Sequence, residues 1–178
     1  MGKLMCGRGF TRFALAVYDR PGAPAACQLL QDRFDLDVNV LLFAAFLGAA
    51  RAQIFTPASL DTVRRGVGAW QRDVVRPLRE VRRRLKTGPA PAPNRETAKL
   101  RNTIQDVELQ AELIELAQLE ALASALEQIP ALGNAEQRAT AAITVVIDAQ
   151  SHRDLDDAEH HALAAIARAA AQGNEAAT

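Results

Sequence analysis

PASLDTVRRGVGAWQRDVVRPLREVRRRLKTGPAPAPNRETAKLRNTIQDVELQAELIELAQLEALASALEQ, residues 57–128, decides the fold. Thr56-Pro57 starts it, a capping hydroxyl followed by a proline whose missing N–H costs nothing in a first helical turn. Val63, Val67, Trp70, Val74, Leu78, Val81 and Leu85 follow at spacings of 4, 3, 4, 4, 3 and 4, one stripe of a helix. Gly66 and Gly68 weaken its first part. Pro77 predicts a kink or restart near Arg76, because it lacks an N–H and clashes with the preceding turn. TGPAPAPN, residues 87–94, reads as an extended, semi-rigid linker. Asn94 caps a second helix, expected over residues 95–128 and ended by Pro130. Leu100, Ile104, Val107, Ala111 and Ile114 give it an apolar face, widened by Leu109, Leu113 and Leu116. Two such helices joined by a short linker predict an antiparallel hairpin.

Outward from the hairpin the pattern stays helical. Residues 10–20 read as a helix with Phe10, Phe13 and Val17 inward, stopped by Arg20-Pro21-Gly22. Pro24 opens a second helix with Cys27, Leu30 and Phe34 inward. Asp37 caps a third, residues 38–52, which is apolar nearly all round and so belongs in the middle of a bundle. After residue 130, Gly133-Asn134 starts a helix with Ala139, Ile143, Val146 and Ile147 inward. Asp154 caps a last one near residues 155–171, and the tail from Gly173 reads as frayed. Alanine makes up 36 of the 178 residues, and β-branched and aromatic residues are sparse. The expected fold is all-α: one domain, a bundle of six or seven helices with a long antiparallel hairpin. Residues 1–129 carry the core and hairpin, and residues 130–178 add a C-terminal helical pair and tail.

The net charge of zero conceals an asymmetry. Residues 1–103 carry a net +10 and residues 104–178 a net −10, so the halves are expected to pack together or each to meet an outside partner. The longest apolar run, residues 38–50, is 13 residues and too short to span a bilayer. No secretory pattern opens the chain. The expectation is a cytoplasmic protein with reduced Cys6 and Cys27 and no membrane partner.

Four groups of side chains invite a functional reading. Arg65, Arg72, Arg76, Arg79, Arg83 and Lys86 share a helical face, with Arg82 and Arg84 nearby. Such a face tracks a phosphate backbone or is simply solvated. An antiparallel hairpin brings Glu108, Glu112 and Glu115 near Arg72 and Arg76. Asp35, Asp37 and Asn39 imitate the start of a calcium loop, but Val40 replaces the required glycine and Phe46 the bidentate glutamate. His152, Asp156, Asp157, Glu159, His160 and His161 include one carboxylate–histidine spacing on a helix, without the second motif a di-metal bundle needs. Gln28, Gln31, Asp32, Asp37 and Asn39 converge at the junction of the second and third helices, where polar groups beside an apolar pocket hold a small ligand or a hydrogen-bonded network.

Phe13-Ala-Leu, Tyr18, Pro21-Gly22, Cys27, Leu30-Gln31-Asp32, Asp37-Val38-Asn39 with Leu41-Leu42-Phe43, and Trp70 through Arg79 together resemble a family of small proteobacterial proteins known only as a domain of unknown function. The likeness covers residues 10–86 well and the helix from Arg95 loosely. Asp35 departs from the small loop residue more usual there, which places weight on Asp37 and Asn39. The resemblance implies a soluble, helical, bacterial protein and supplies no catalytic residue.

No catalytic residue, cofactor or metal is expected from the sequence. The leading expectation is a non-enzymatic interaction or adaptor protein that engages a protein partner or a second copy of itself. One alternative is nucleic-acid or ribonucleoprotein binding through the arginine-rich helix 64–86. The other is a small-ligand protein or enzyme whose polar site lies at the junction of the second and third helices.

Overall fold

The computed structural model describes residues 9–175. Cys6 and the last residues of the tail lie outside them. Eight α-helical segments form an all-α bundle with one two-stranded sheet. Helix α1, Phe10–Tyr18, buries Phe10, Phe13, Ala14 and Val17. A turn through Gly22, at φ 85°, leads to α2, Ala23–Phe34, with Pro24 in its first turn. Asp35, at φ 51°, ends α2 in the left-handed conformation that a short polar side chain tolerates.

Asp37 caps α3, Val38–Arg51, by accepting the Asn39 N–H at 2.9 Å. As an apolar helix must, α3 runs through the centre, buried from Val40 to Ala49. Phe43 and Phe46 pack on Phe10 at 4.9 and 5.4 Å between ring centroids, and Phe13 packs on Phe46 at 5.2 Å. The two final helices, α7 (Ala135–Asp148) and α8 (Asp157–Glu175), close the same core against α2 and α3. Where α3 crosses α7, Gly48 lies against backbone. The Arg138 guanidinium donates to the carbonyls of Gly48 (3.1 Å) and Ala49 (3.2 Å), two acceptors that the end of α3 leaves unpaired.

Helix α4, Pro57–Trp70, is capped by Thr56, runs unbroken through Gly66 and Gly68, and continues through a π-helical turn, Gln71–Val75, into α5, Arg76–Thr87. The expected kink at Pro77 is realised as this wider turn, in which the Arg76 N–H donates to the Gln71 carbonyl five residues back. Pro77 has no N–H to offer the carbonyl four residues before it, and the shifted register absorbs that loss. Counting the continuous rod once, the described residues form seven helices.

Three expectations about the hairpin are corrected. The linker bends instead of extending: the Ala92 N–H donates to Pro89 O at 2.9 Å, and a hairpin cannot close over a straight connection. The second arm, α6, stops at Leu122 rather than near residue 128. A 3₁₀ turn, Ala123–Ala125, follows it, and then β2, Gln128–Pro130, pairs antiparallel with β1, Gln53–Phe55, with Ile54 opposite Ile129. Ser59 fixes this corner by donating to the Glu127 carbonyl. The helix α6, Arg95–Leu122, also turns a different face inward. Leu100, Val107, Leu109 and Ile114 are exposed, whereas Glu108, Ala111, Glu115, Leu116 and Leu119 are buried. The arm opposite presents arginines at this seam, so the carboxylates face in.

The last helix begins at Asp157, capped by Asp156 and not by Asp154. Asp156 Oδ1 accepts the Glu159 N–H and Glu159 accepts the Asp156 N–H, both at 2.9 Å, a reciprocal cap. The side chain of Glu159 is fully buried and also takes Arg153 at 2.6 Å and Arg33 of α2 at 3.2 Å. Hydrogen bonds from Arg153 first, then from the Asp156 N–H and Arg33, outweigh burial and hold its carboxyl at about 2. That is below the unfolded value of 4.5, so its stabilisation is full above that value and is lost as pH falls towards about 2. Glu159→Gln is expected to cost about 2 kcal/mol near neutrality, since both arginines are half-exposed and screened by water. Urea unfolding of both proteins from neutral to acid pH checks this, and a gap that persists unchanged at the acid end contradicts it.

A candidate ligand cavity between the α2–α3 junction and the hairpin

A cavity of about 320 Å³ opens where α1, the α2–α3 junction, the π-helical turn, α5 and α6 meet. One wall is apolar: Leu15 of α1, Leu42 of α3, and Leu109, Leu113 and Leu116 of α6. The other wall is polar. Tyr18, Gln28, Gln31, Asp37 and Asn39 come from the first three helices, and Arg79, Arg82, Glu108 and Glu112 from the hairpin.

The hairpin residues form an ion network across the seam. Arg79 donates Nε to Glu108 at 3.0 Å and Nη2 to Glu112 at 2.6 Å, and Arg82 donates to both Glu108 oxygens. The Arg79 side chain is 14% exposed and that of Glu108 6%, so this pairing is largely withdrawn from water. Burial would raise Glu108, but the hydrogen bonds from Arg82 and Arg79 outweigh it and hold the group ionised below its ordinary range. Glu112 moves the other way: its burial exceeds what Arg79 returns.

Behind Asp37 lies Glu115, with no exposed surface. Asn39 Nδ2 donates to one of its oxygens at 3.0 Å. The other oxygen has no donor. Burial, and then hydrogen bonding to the neighbouring Asp37 carboxylate, push Glu115 up to about 9. A protonated carboxyl carries a donor of its own, and burial beside a second carboxyl favours that form of Glu115. Opposite them, Gln71 of the π-helical turn is 6% exposed, and its Oε1 has no hydrogen-bond partner. Gln71 and Asp37 also line a second cavity, of about 290 Å³, which reaches towards Arg64, Arg72 and Arg76.

The structure thus brings Gln28, Gln31, Asp37 and Asn39 to one cavity. Asp32 is outside it, taking the Gln28 amide at 2.7 Å and facing Arg83 at 3.6 Å. The basic face is divided. Arg79 turns inward, a correction to the common face assigned to it with Arg65, Arg72, Arg76, Arg83 and Lys86. Glu108 and Glu112 pair with Arg79 and Arg82, not with Arg72 and Arg76. Arg72 pairs with Asp73 and Arg76 with Asp35, while Arg65 donates to Thr62. Trp70 sits behind the cavity and donates Nε1 to the Ala111 carbonyl at 3.0 Å. Asp156 and Glu159 are occupied by arginines and a helix cap, and no three or more His, Cys, Asp or Glu side chains among the described residues form a metal cluster. Cys27 is buried, which pushes its thiol up to about 12.

Tyr18, Gln71, Arg82, Gln105, Asp106, Glu108, Glu112 and, behind them, Glu115 are the residues that sequence reading left out of this polar site. A signal was present for two of them. Val63, Val67, Gln71 and Val75 step by four, with one amide inside an apolar series, and a π-helical turn keeps such steps on one face. Glu115 sits between Ala111 and Leu119 in the same way.

No helix among the described residues is long and apolar enough to cross a membrane. No curated protein and no solved structure matches the chain. The sequence model of one family, described as "Protein of unknown function (DUF2390)", matches residues 10–119. That segment contains every residue lining the cavity, and the chain belongs to this family.

Proposed function

We propose that this protein binds a small organic ligand in the cavity between the α2–α3 junction and the hairpin. The observation that carries the reading is Gln71: a buried amide oxygen without a partner, on a π-helical turn, at the wall of an amphipathic cavity. An unpaired buried acceptor costs about 1–3 kcal/mol, a cost that a ligand donor removes. π-helical turns occur often at functional sites. The ion network supports the same reading. Arg79 and Arg82 are held by two glutamates, which preorganises the polar wall and withdraws both from any phosphate-binding face.

The test is thermal unfolding with a panel of small cations, anions and neutral polar compounds. A binding class raises the midpoint in proportion to RT ln(1 + [L]/Kd). Leu113→Trp, which fills the apolar wall from a half-buried position, is expected to abolish the shift without lowering the midpoint of the free protein by much. Absence of any shift across the panel, with no small molecule released on denaturing the purified protein, would end this reading.

A second reading keeps the interaction protein. Leu100, Val107 and Ile114 repeat every seven residues along the outer face of α6 and are 50, 42 and 49% exposed. A seam of that period suits another helix. Self-association through it predicts a mass that rises with concentration and falls back to monomer in Val107→Glu. A constant monomer mass in the unsubstituted protein removes it.

A further inference from the structure

We propose that the outer end of the hairpin docks on the phosphate backbone of duplex DNA, without regard to base sequence. The cations that carry it, Lys86, Arg95, Lys99 and Arg101, line neither cavity, so this surface is independent of the ligand-binding reading.

No residue from Arg76 through Val107 is buried. Helix α5 buries none of its side chains and packs chiefly on α6. The hairpin end therefore adds little to the core. Its turn is nevertheless closed, by the Ala92 N–H on Pro89 O and by a capping box between Asn94 and Thr97. Fixing these residues costs backbone entropy that burial does not return. An extension of this kind is accounted for by what its surface meets.

Between Glu80 and Asp106 stand seven basic residues and one acid, Glu96. Nearer the core the seam is balanced, because Glu108 and Glu112 hold Arg79 and Arg82. Further out no carboxylate plays that part. Arg84–Glu80 and Lys99–Glu96 are exposed pairs, which water screens. Arg83 comes no nearer to Asp32 than 3.6 Å. Lys86, Arg95 and Arg101 have no ion pair among the described residues. The chain as a whole has no net charge, so attraction for a polyanion is local to surfaces such as this one.

Shape narrows the partner. Cations on both arms flank an apex, residues 88–93, that carries no charge and no side chain larger than proline. Packed helices have axes about 8–10 Å apart, close to the width of about 12 Å of a DNA major groove. An apex of that width enters the groove with the cations of α5 against one strand and those of α6 against the other. Its backbone loses little water-bonding there. Pro89, Pro91 and Pro93 have no N–H, and the N–H groups of Gly88 and Ala92 already donate to Arg84 and Pro89 carbonyls. With no polar side chain at the apex, the bases go unread and the phosphates carry the binding. Residues 76–107 contain no aromatic residue, so the stacking that single strands require is missing. The apex also lacks the Trp, Phe or Leu that anchors a peripheral protein in a bilayer interface.

The experiment is fluorescence anisotropy of a labelled DNA duplex of two helical turns, titrated with the full chain at several salt concentrations. Four phosphate contacts predict a slope of log affinity against log salt of about −4. A duplex of scrambled sequence is expected to bind equally. Lys86→Glu with Arg95→Glu is expected to weaken binding at least about tenfold and to flatten the slope by about 2. Arg65→Glu with Arg72→Glu makes the same change in net charge on the inner part of the rod and is expected to leave both quantities nearly unchanged. All four side chains are exposed, so neither double variant disturbs packing, and the slope of the unsubstituted protein is read without any variant. Absence of duplex binding at low salt overturns the proposal, as do equal losses in the two double variants. Tighter binding of the single strand, or sedimentation with phosphatidylglycerol vesicles in place of duplex binding, overturns it in favour of a different polyanion. None of these outcomes bears on the cavity, which the thermal panel tests separately.

Discussion

Glu115→Gln is expected to flatten the pH dependence of stability on the alkaline side and to make the protein more stable than the wild type there. Glu115 is fully buried, and its carboxyl is raised from 4.5 to about 9 by burial and by the facing Asp37. A raised folded value means that the native state binds the extra proton. The stabilisation is therefore complete below 4.5 and disappears as pH rises towards about 9. Within that window the slope for one proton is about 1.4 kcal/mol per pH unit, so a rise of two units costs about 3 kcal/mol. Glutamine copies the protonated acid. Its oxygen accepts from Asn39 as the carboxyl does, and its amide brings hydrogens beside Asp37 without a charge to bury. Urea midpoints of both proteins at several pH values from mildly acid to alkaline test this. The difference between the two removes the titration of every other group. Curves that run parallel across that range would show that Glu115 does not hold its proton in the native state.

Gly48→Ala is expected to lower stability by about 3 kcal/mol, even though alanine is the better helix former by about 1 kcal/mol. A Cβ on residue 48 would lie 2.4 Å from the Arg138 carbonyl oxygen, 2.7 Å from its carbon and 2.8 Å from Ala139 Cα. All three atoms are backbone, so no rotamer change relieves the clash, and α7 must move off α3. That movement also breaks the bonds from Arg138 to the carbonyls of Gly48 and Ala49. For a domain of this size the thermal midpoint should fall by about 6–12 °C. Gly68→Ala is the control. Nothing lies within 4 Å of its added Cβ, and it should gain about 0.5–1 kcal/mol from helix propensity. Equal effects at the two glycines would mean that the α3–α7 contact is looser than the close approach at Gly48 implies.

The two results concern different levels of the structure. Gly48 reports on how the C-terminal pair closes the core, and Glu115 on the polar centre beneath the cavity. A protein that keeps the first and loses the second retains its fold with an altered site. Measuring ligand shifts in Glu115→Gln therefore separates binding from stability.

Helix starts were legible in the sequence because caps act over three or four residues. Asp37, Thr56-Pro57, Asn94 and Asn134 each accept a nearby backbone N–H in the structure, as a reading of adjacent residues expects. The buried character of α3 was equally local, since an all-round apolar helix has only one stable place. The convergence of Gln28, Gln31, Asp37 and Asn39 followed from a short connection between two helices. What the sequence left open was which of two overlapping faces each hairpin arm would bury. On α6 a stripe through Leu100, Val107 and Ile114 competes with one through Glu108, Ala111, Glu115 and Leu119. Hydrophobicity alone favours the first. The second is buried because Arg79 and Arg82 stand opposite it, and charges withdrawn from water need partners at contact distance. The strand pairing of residues 53–55 with residues 128–130 likewise joins segments far apart in the chain, whereas the π-helical turn that places Gln71 follows from Pro77. Local sequence determined where helices begin and how apolar each one is. Only the tertiary structure decided the rotation of each helix about its axis, because that rotation is set by the residue across the seam, some thirty positions away in the chain.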